Sequence, residues 1–145
     1  MKKLHFEIEI NSPSHRVYNT MIGDKTYREW ASAFGAGCYF EGSWNTNDKI
    51  KFLSPAGGGM LSEIAMNKPN EFISIRHLGM IENGIEDTQS DGVKSWAPAY
   101  ENYTLARIGE KTQVKVDMDS ADEWEAYMNE SWPKALSILK DICES

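Results

Sequence analysis

The chain has 145 residues, the size of one domain that buries roughly 70 % of its unfolded surface. Its hydrophobic content of 41 % and charged content of 26 % are those of an ordinary globular protein. A formal net charge of −7 excludes a nucleic-acid surface, which needs clustered Lys and Arg, and disfavours an anionic membrane. No apolar run approaches the roughly 20 residues that span a bilayer, and Glu7 and Glu9 break any signal-peptide core. Cys38 and Cys143 are far apart and read as free buried thiols, so the cytoplasm is the default compartment. No repeat, linker or low-complexity segment divides residues 1–145, which read as a single domain.

Leu4, Phe6, Ile8 and Ile10 alternate with polar residues, the period of a strand with one buried face. Asn11-Ser12-Pro13 stops it, with Ser12 placed to cap a helix and Pro13 at its first position. Val17, Tyr18, Met21 and Ile22 share a face of that helix, and Gly23 is its expected stop. Asp24 can cap a second short helix, whose Tyr27, Trp30, Ala31 and Phe34 fall at i, i+3, i+4 and i+7.

A meander of strands follows, over 38–44, 49–53, 60–67, 72–81, 100–108 and 111–118. The turns between them are rich in Gly, Asn and Pro, and Gly57-Gly58-Gly59 is a hairpin loop without the Lys-Ser/Thr ending of a phosphate loop. Both parities of 72–81 are partly apolar, which leaves its inward face open. Glu82–Ser95 reads as a long polar loop.

From Ser120 to the C-terminus the pattern is one amphipathic helix opened by a capping box, Ser120-x-x-Glu123. Trp124, Met128, Ser131, Ala135, Ile138, Leu139 and Ile142 are expected on its buried face, with Glu125 and Lys140 exposed. Pro133 should kink it near Asn129. Many strands with one long helix kept for the end predict an α+β fold. A curved antiparallel sheet of about seven strands wraps the helix, with room between them to hold a ligand.

This order resembles the helix-grip domain of the START and birch-pollen-allergen superfamily. The residues that carry the resemblance are Ser12-Pro13 leading to Val17, Trp30 with Phe34-Gly35, Gly42 before Phe52, Gly59 and Pro69. Glu101-x-Tyr103-x-Leu105, Gly109-x-x-Thr112 and Trp132-x-x-x-Leu136-x-x-Leu139-Lys140 continue it over almost the whole chain. The pattern is closest to the branch of heat-shock-protein-90 ATPase activator-like and polyketide cyclase-like proteins. Such proteins are similar to lipid carriers, hormone receptors, cyclases and co-chaperone domains, and share no catalytic residues. The eukaryotic co-chaperone carries a further N-terminal docking domain. This chain starts directly at the first strand, so chaperone activation is not expected of it.

No nucleophile motif, catalytic residue or cofactor signature stands out. His5, His15 and His77 lack metal-ligand spacing, and Asp117, Asp119 and Asp122 suit the acidic start of a helix better than a cation site. Glu101 shares strand parity with Tyr103 and Leu105, and an inward carboxylate needs a partner. Arg76, in parity with Phe72, Leu78 and Met80, is the candidate. A Glu101–Arg76–Tyr103 cluster reads as a structural ion pair, a ligand anchor or an acid–base site, and the residues leave all three open. Trp30, Phe34, Phe52, Leu78, Trp96, Trp124 and Met128 complete the candidate wall of an apolar cavity. The leading expectation is binding of a small apolar or lipid-like molecule, without cofactor or metal. A co-chaperone-type interaction module and a cofactor-free cyclase or hydrolase are the alternatives, and a homodimer stays open.

Overall fold

Nine residues of alternating sequence, Lys2–Ile10, form β1, whose inward side chains end in the fully buried Ile10. The computed structural model describes all of Met1–Ser145. Helices α1 (Ser14–Ile22) and α2 (Asp24–Trp30) follow, then a single 3-10 turn, Ala31–Phe34. The expected caps are replaced: Pro13 and Gly23 occupy the cap positions, and the backbone carbonyl of Ser12 accepts from the Thr112 hydroxyl at 2.8 Å.

The meander comprises β2 (Tyr39–Gly42), β3 (Lys49–Leu53), β4 (Gly59–Lys68) and β5 (Phe72–Glu82). It continues through β6 (Ile85–Asp87), the short helix α3 (Asp91–Lys94), β7 (Ala99–Ile108) and β8 (Lys111–Ser120). All pairs are antiparallel, in the order β1-β8-β7-β5-β4-β3-β2, with β6 hydrogen-bonded to β5. The sheet has eight strands, one more than expected, because three residues of the predicted polar loop pair with β5 and four more make α3. Gly42 begins the departure from β2 at φ 120°, where a Cβ would stand 2.5 Å from the Lys49 carbonyl oxygen.

Two bulges in the β4–β5 pairing explain the mixed parity of 72–81. Register slips between Leu61 and Ser62 and again between Ile64 and Met66. Ile73, Ile75 and His77 are buried on the concave face; Leu78 is the extra residue of the first bulge, so beyond it Met80 aligns with Met60 and Phe52. One alternation rule therefore cannot run the length of β5.

The terminal helix, α4 (Glu125–Glu144), starts later than expected, after a 3-10 turn at Asp122–Trp124. The capping box does not form, because Ser120 is the last residue of β8 and pairs with Lys2. Helix α4 runs on through Pro133 and packs on β1, α1, α2 and the first 3-10 turn. Ser131, Ala135 and Leu139 are buried as expected, and Met128 packs partly against the core. Trp132, Leu136 and Cys143 are buried too, whereas Ile138 and Ile142 are half-buried. Glu125 and Lys140 are only partly exposed: Glu125 meets Lys2 at 3.0 Å and Lys140 meets Glu144 at 2.5 Å. The stripe is wider than the pattern implied because helices as well as the sheet cover it. No helix is long and apolar enough to cross a membrane, and both cysteines are free thiols.

On the outer face His5 sits between Asp117 and Glu7, each 2.7 Å from a ring nitrogen. These hydrogen bonds, Asp117 first, raise the imidazole above its ordinary value of 6.5. A group raised on folding stabilises fully below its unfolded value and loses that contribution as pH rises through the folded one. The His5→Gln variant should therefore differ most from wild type below pH 6.5 and converge with it above the raised value. Proton NMR showing His5 titrating at or below 6.5 would remove the expectation.

Candidate functional site

Three neighbouring strands bring four polar side chains together on the concave face. Ser62 on β4 lies directly opposite His77 on β5, and Glu101 and Tyr103 follow on β7. The Ser62 hydroxyl is 2.7 Å from His77 Nδ1, and His77 Nε2 is 3.1 Å from Glu101 Oε1. The Tyr103 hydroxyl donates to Glu101 Oε2. Both ring nitrogens of His77 are thus engaged, Nε2 by the carboxylate and Nδ1 by the Ser62 hydroxyl.

Burial grades along this chain. Ser62 is fully enclosed, whereas the side chains of His77 and Glu101 keep 11 % and 16 % of their surface. Burial, and then the charge of Glu101, hold the Tyr103 hydroxyl well above the usual phenol range. Tyr27 on α2 is raised in the same way by burial, Glu101 and Cys38. Both phenols remain donors at any physiological pH. Burial likewise raises the Cys38 thiol above its ordinary value.

An aromatic wall stands against this polar chain. The Phe52 ring is 6.0 Å from His77, 6.0 Å from Tyr27 and 5.7 Å from Trp44. Phe40 meets Tyr27 at 5.2 Å and Trp44 at 5.4 Å, both edge-on. Trp44 is 8 % exposed and its indole Nε1 is buried without a hydrogen-bond partner. On the far side Trp132 of α4 joins Tyr103 at 5.8 Å, Trp30 at 6.0 Å and Phe34 at 5.0 Å.

Of the residues expected at the site, Trp30, Phe34, Phe52, Glu101, Tyr103 and Met128 lie in or against this core. Arg76 does not. It alternates with His77, so it occupies the outer face, where it pairs with Glu63 at 2.7 Å and stacks over Tyr100 at 5.7 Å. Leu78 belongs to the bulge, and half-buried Trp96 belongs to the segment after α3, where its backbone N–H bonds to Val93. Trp124 is 49 % exposed beside Tyr127, at the start of α4.

The partner of Glu101 is His77, not Arg76. The signal that could have found it is the run Ile73-Ile75-His77, one strand parity with two β-branched core residues. Ser62 carries the same signal beside Ile64. Two hollows stand out on the molecule, and neither lies between sheet and helix. One of about 130 Å³ is lined by Lys3, His5, Tyr100 and Asp119 on the outer face, and the other lies beside Pro133 and Ile138. The inner face of the sheet carries aromatic rings in contact with one another.

A serine, histidine and glutamate in series invite comparison with a hydrolytic triad. Ser62 lies in a central strand with no exposed surface, so its oxygen cannot meet an incoming carbonyl. What the arrangement offers is a carboxylate held in place at the edge of an apolar interior.

No protein-family model matches the chain, and no curated protein matches it. Solved structures do. The Aha1 dimer from Colwellia psychrerythraea is 19 % identical, with a TM-score of 0.76 over 99 % of this chain and 97 % of that one. Protein MLL2253 from Mesorhizobium loti is 14 % identical, with a TM-score of 0.74 over 97 % and 95 %. DynU16, of the dynemicin biosynthetic locus, is 13 % identical, with a TM-score of 0.72 over 100 % of this chain but 48 % of its own. The chain therefore has the fold of these proteins, the helix-grip fold of a curved antiparallel sheet and a long C-terminal helix.

Proposed function

We propose that the chain binds a small, largely apolar molecule between the concave sheet face and the helices, with Glu101 as its polar anchor. The observation that carries this reading is the Ser62–His77–Glu101–Tyr103 chain, set against a wall of Tyr27, Phe40, Trp44 and Phe52. Binding sites are mostly greasy walls with a few placed polar groups. The wall is closely packed, so a ligand enters by moving rings, and the half-buried Phe34, Cys38 and Met128 form the edge that can yield. A cytoplasmic location is part of the same reading, supported by the two free thiols.

Thermal-shift screening of lipids, aromatics and polyketide-like compounds tests it. A ligand at one hundred times its dissociation constant adds about 2.7 kcal/mol, which for a chain of this size raises the midpoint by roughly 5–10 °C. Tryptophan emission should change with it, since Trp44 and Trp30 lie in the wall. A panel that shifts neither midpoint nor emission overturns the proposal.

A further inference from the structure

We infer that the ligand of this site carries a protonated amine that pairs with Glu101 among the aromatic rings, and that carboxylates of the same shape are refused. This rests on the binding reading above and narrows it to a chemical class.

The first ground is spare acceptor capacity. Each oxygen of Glu101 takes one hydrogen bond, from His77 and from Tyr103, while a carboxylate offers about four lone-pair positions. The second is missing counter-charge. The only basic group against Glu101 is the imidazole of His77; Arg76 is committed to Glu63 across the sheet. The third is access, because the Glu101 side chain keeps 16 % of its surface although its neighbours Ser62 and Tyr103 are enclosed.

The surroundings select the sign of the ligand's charge. Tyr27, Phe52 and Trp44 make this interior aromatic, and aromatic rings attract a cation and offer an anion nothing. The acidic balance of the chain, −7, raises the local concentration of cations. Glu101 is already largely out of water and fixed by two donors, so an ammonium would bear only its own desolvation on pairing. A carboxylate placed there would meet a second carboxylate in a medium that screens poorly.

The experiment uses three compounds of one shape: 2-naphthylmethylamine, 2-naphthalenemethanol and 2-naphthoate, titrated calorimetrically into the full chain at pH 7. The amine should bind at least about tenfold more tightly than the naphthoate, as expected for a charge-assisted hydrogen bond. The alcohol should fall between them. In Glu101→Gln the preference of the site for the amine over the alcohol should shrink roughly tenfold. Naphthoate binding as well as the amine, or an amine preference untouched by Glu101→Gln, overturns the inference while the binding site stands. If none of the three binds, the inference falls, and the thermal-shift panel of lipids, aromatics and polyketide-like compounds decides the site. The wild-type comparison alone decides the sign, so the result does not depend on the variant folding.

Discussion

Replacing Trp132 with alanine is expected to lower stability by about 3–5 kcal/mol, the range for truncating a large aromatic in a packed core. The side chain is 2 % exposed and is the hub through which α4 reaches the rest of the molecule. It stacks on Phe6 of β1 at 6.2 Å, meets Trp30 at the end of α2 at 6.0 Å, and takes Phe34 and Tyr103 edge-on at 5.0 and 5.8 Å. No other helical residue touches that many separate elements through aromatic contacts. Removing the indole leaves a hole that four rings on four elements cannot close together. Urea unfolding followed by circular dichroism measures it, with Trp124→Ala as the control. Trp124 is 49 % exposed, so its loss should stay within about 0.5 kcal/mol. A loss below about 1 kcal/mol at Trp132, or equal losses at both positions, would show that α4 does not pack as described.

The contrast between these two tryptophans shows where sequence reading succeeds and where it stops. Period 3.6 correctly placed Ala135, Leu139 and Ser131 on the buried face. It misjudged Trp124 because helix start signals were read at Ser120, where the β1–β8 ladder keeps the chain extended. A hydrogen-bonded partner more than a hundred residues away is invisible to local spacing. Pairing Trp132 with Trp30 and Tyr103 needs the same long-range knowledge.

The site divides in the same way. Strand parity correctly turned Glu101 and Tyr103 inward, because β7 has no irregularity in its pairing with β8. Parity failed on β5, where the bulge at Leu78 changes the face and where Arg76 stood in for the residue beside it. A bulge is one extra residue with no composition of its own, so the pattern carried no trace of it. Sequence order alone could therefore name the carboxylate and could not name its partner. The fold fared better, since an ordered set of weak signals over the whole chain constrains topology more than any one signal constrains a side chain.

His77→Leu is expected to cost about 2–6 kcal/mol, built from about 1–3 kcal/mol for each of the two buried polar groups it strands. The Ser62 hydroxyl has no exposed surface and no other side-chain partner, and Glu101 keeps only the Tyr103 donor. Leucine fills the space of the ring without offering either hydrogen bond, so the loss reports polar stranding more than a cavity. Glu101→Leu strands a different pair, His77 Nε2 and the Tyr103 hydroxyl. The double variant strands only Ser62 and Tyr103, since the His77–Glu101 contact is removed from both ends. Its cost should therefore fall short of the two single costs added together, by a coupling of about 0.5–3 kcal/mol. Denaturant unfolding of the four proteins closes the cycle. Additivity within about 0.3–0.5 kcal/mol would mean that the imidazole and the carboxylate do not act on each other. A coupling that is present, with ligand affinity lost in Glu101→Leu, would join the two properties in one place: the bond that steadies the sheet also fixes the anchor.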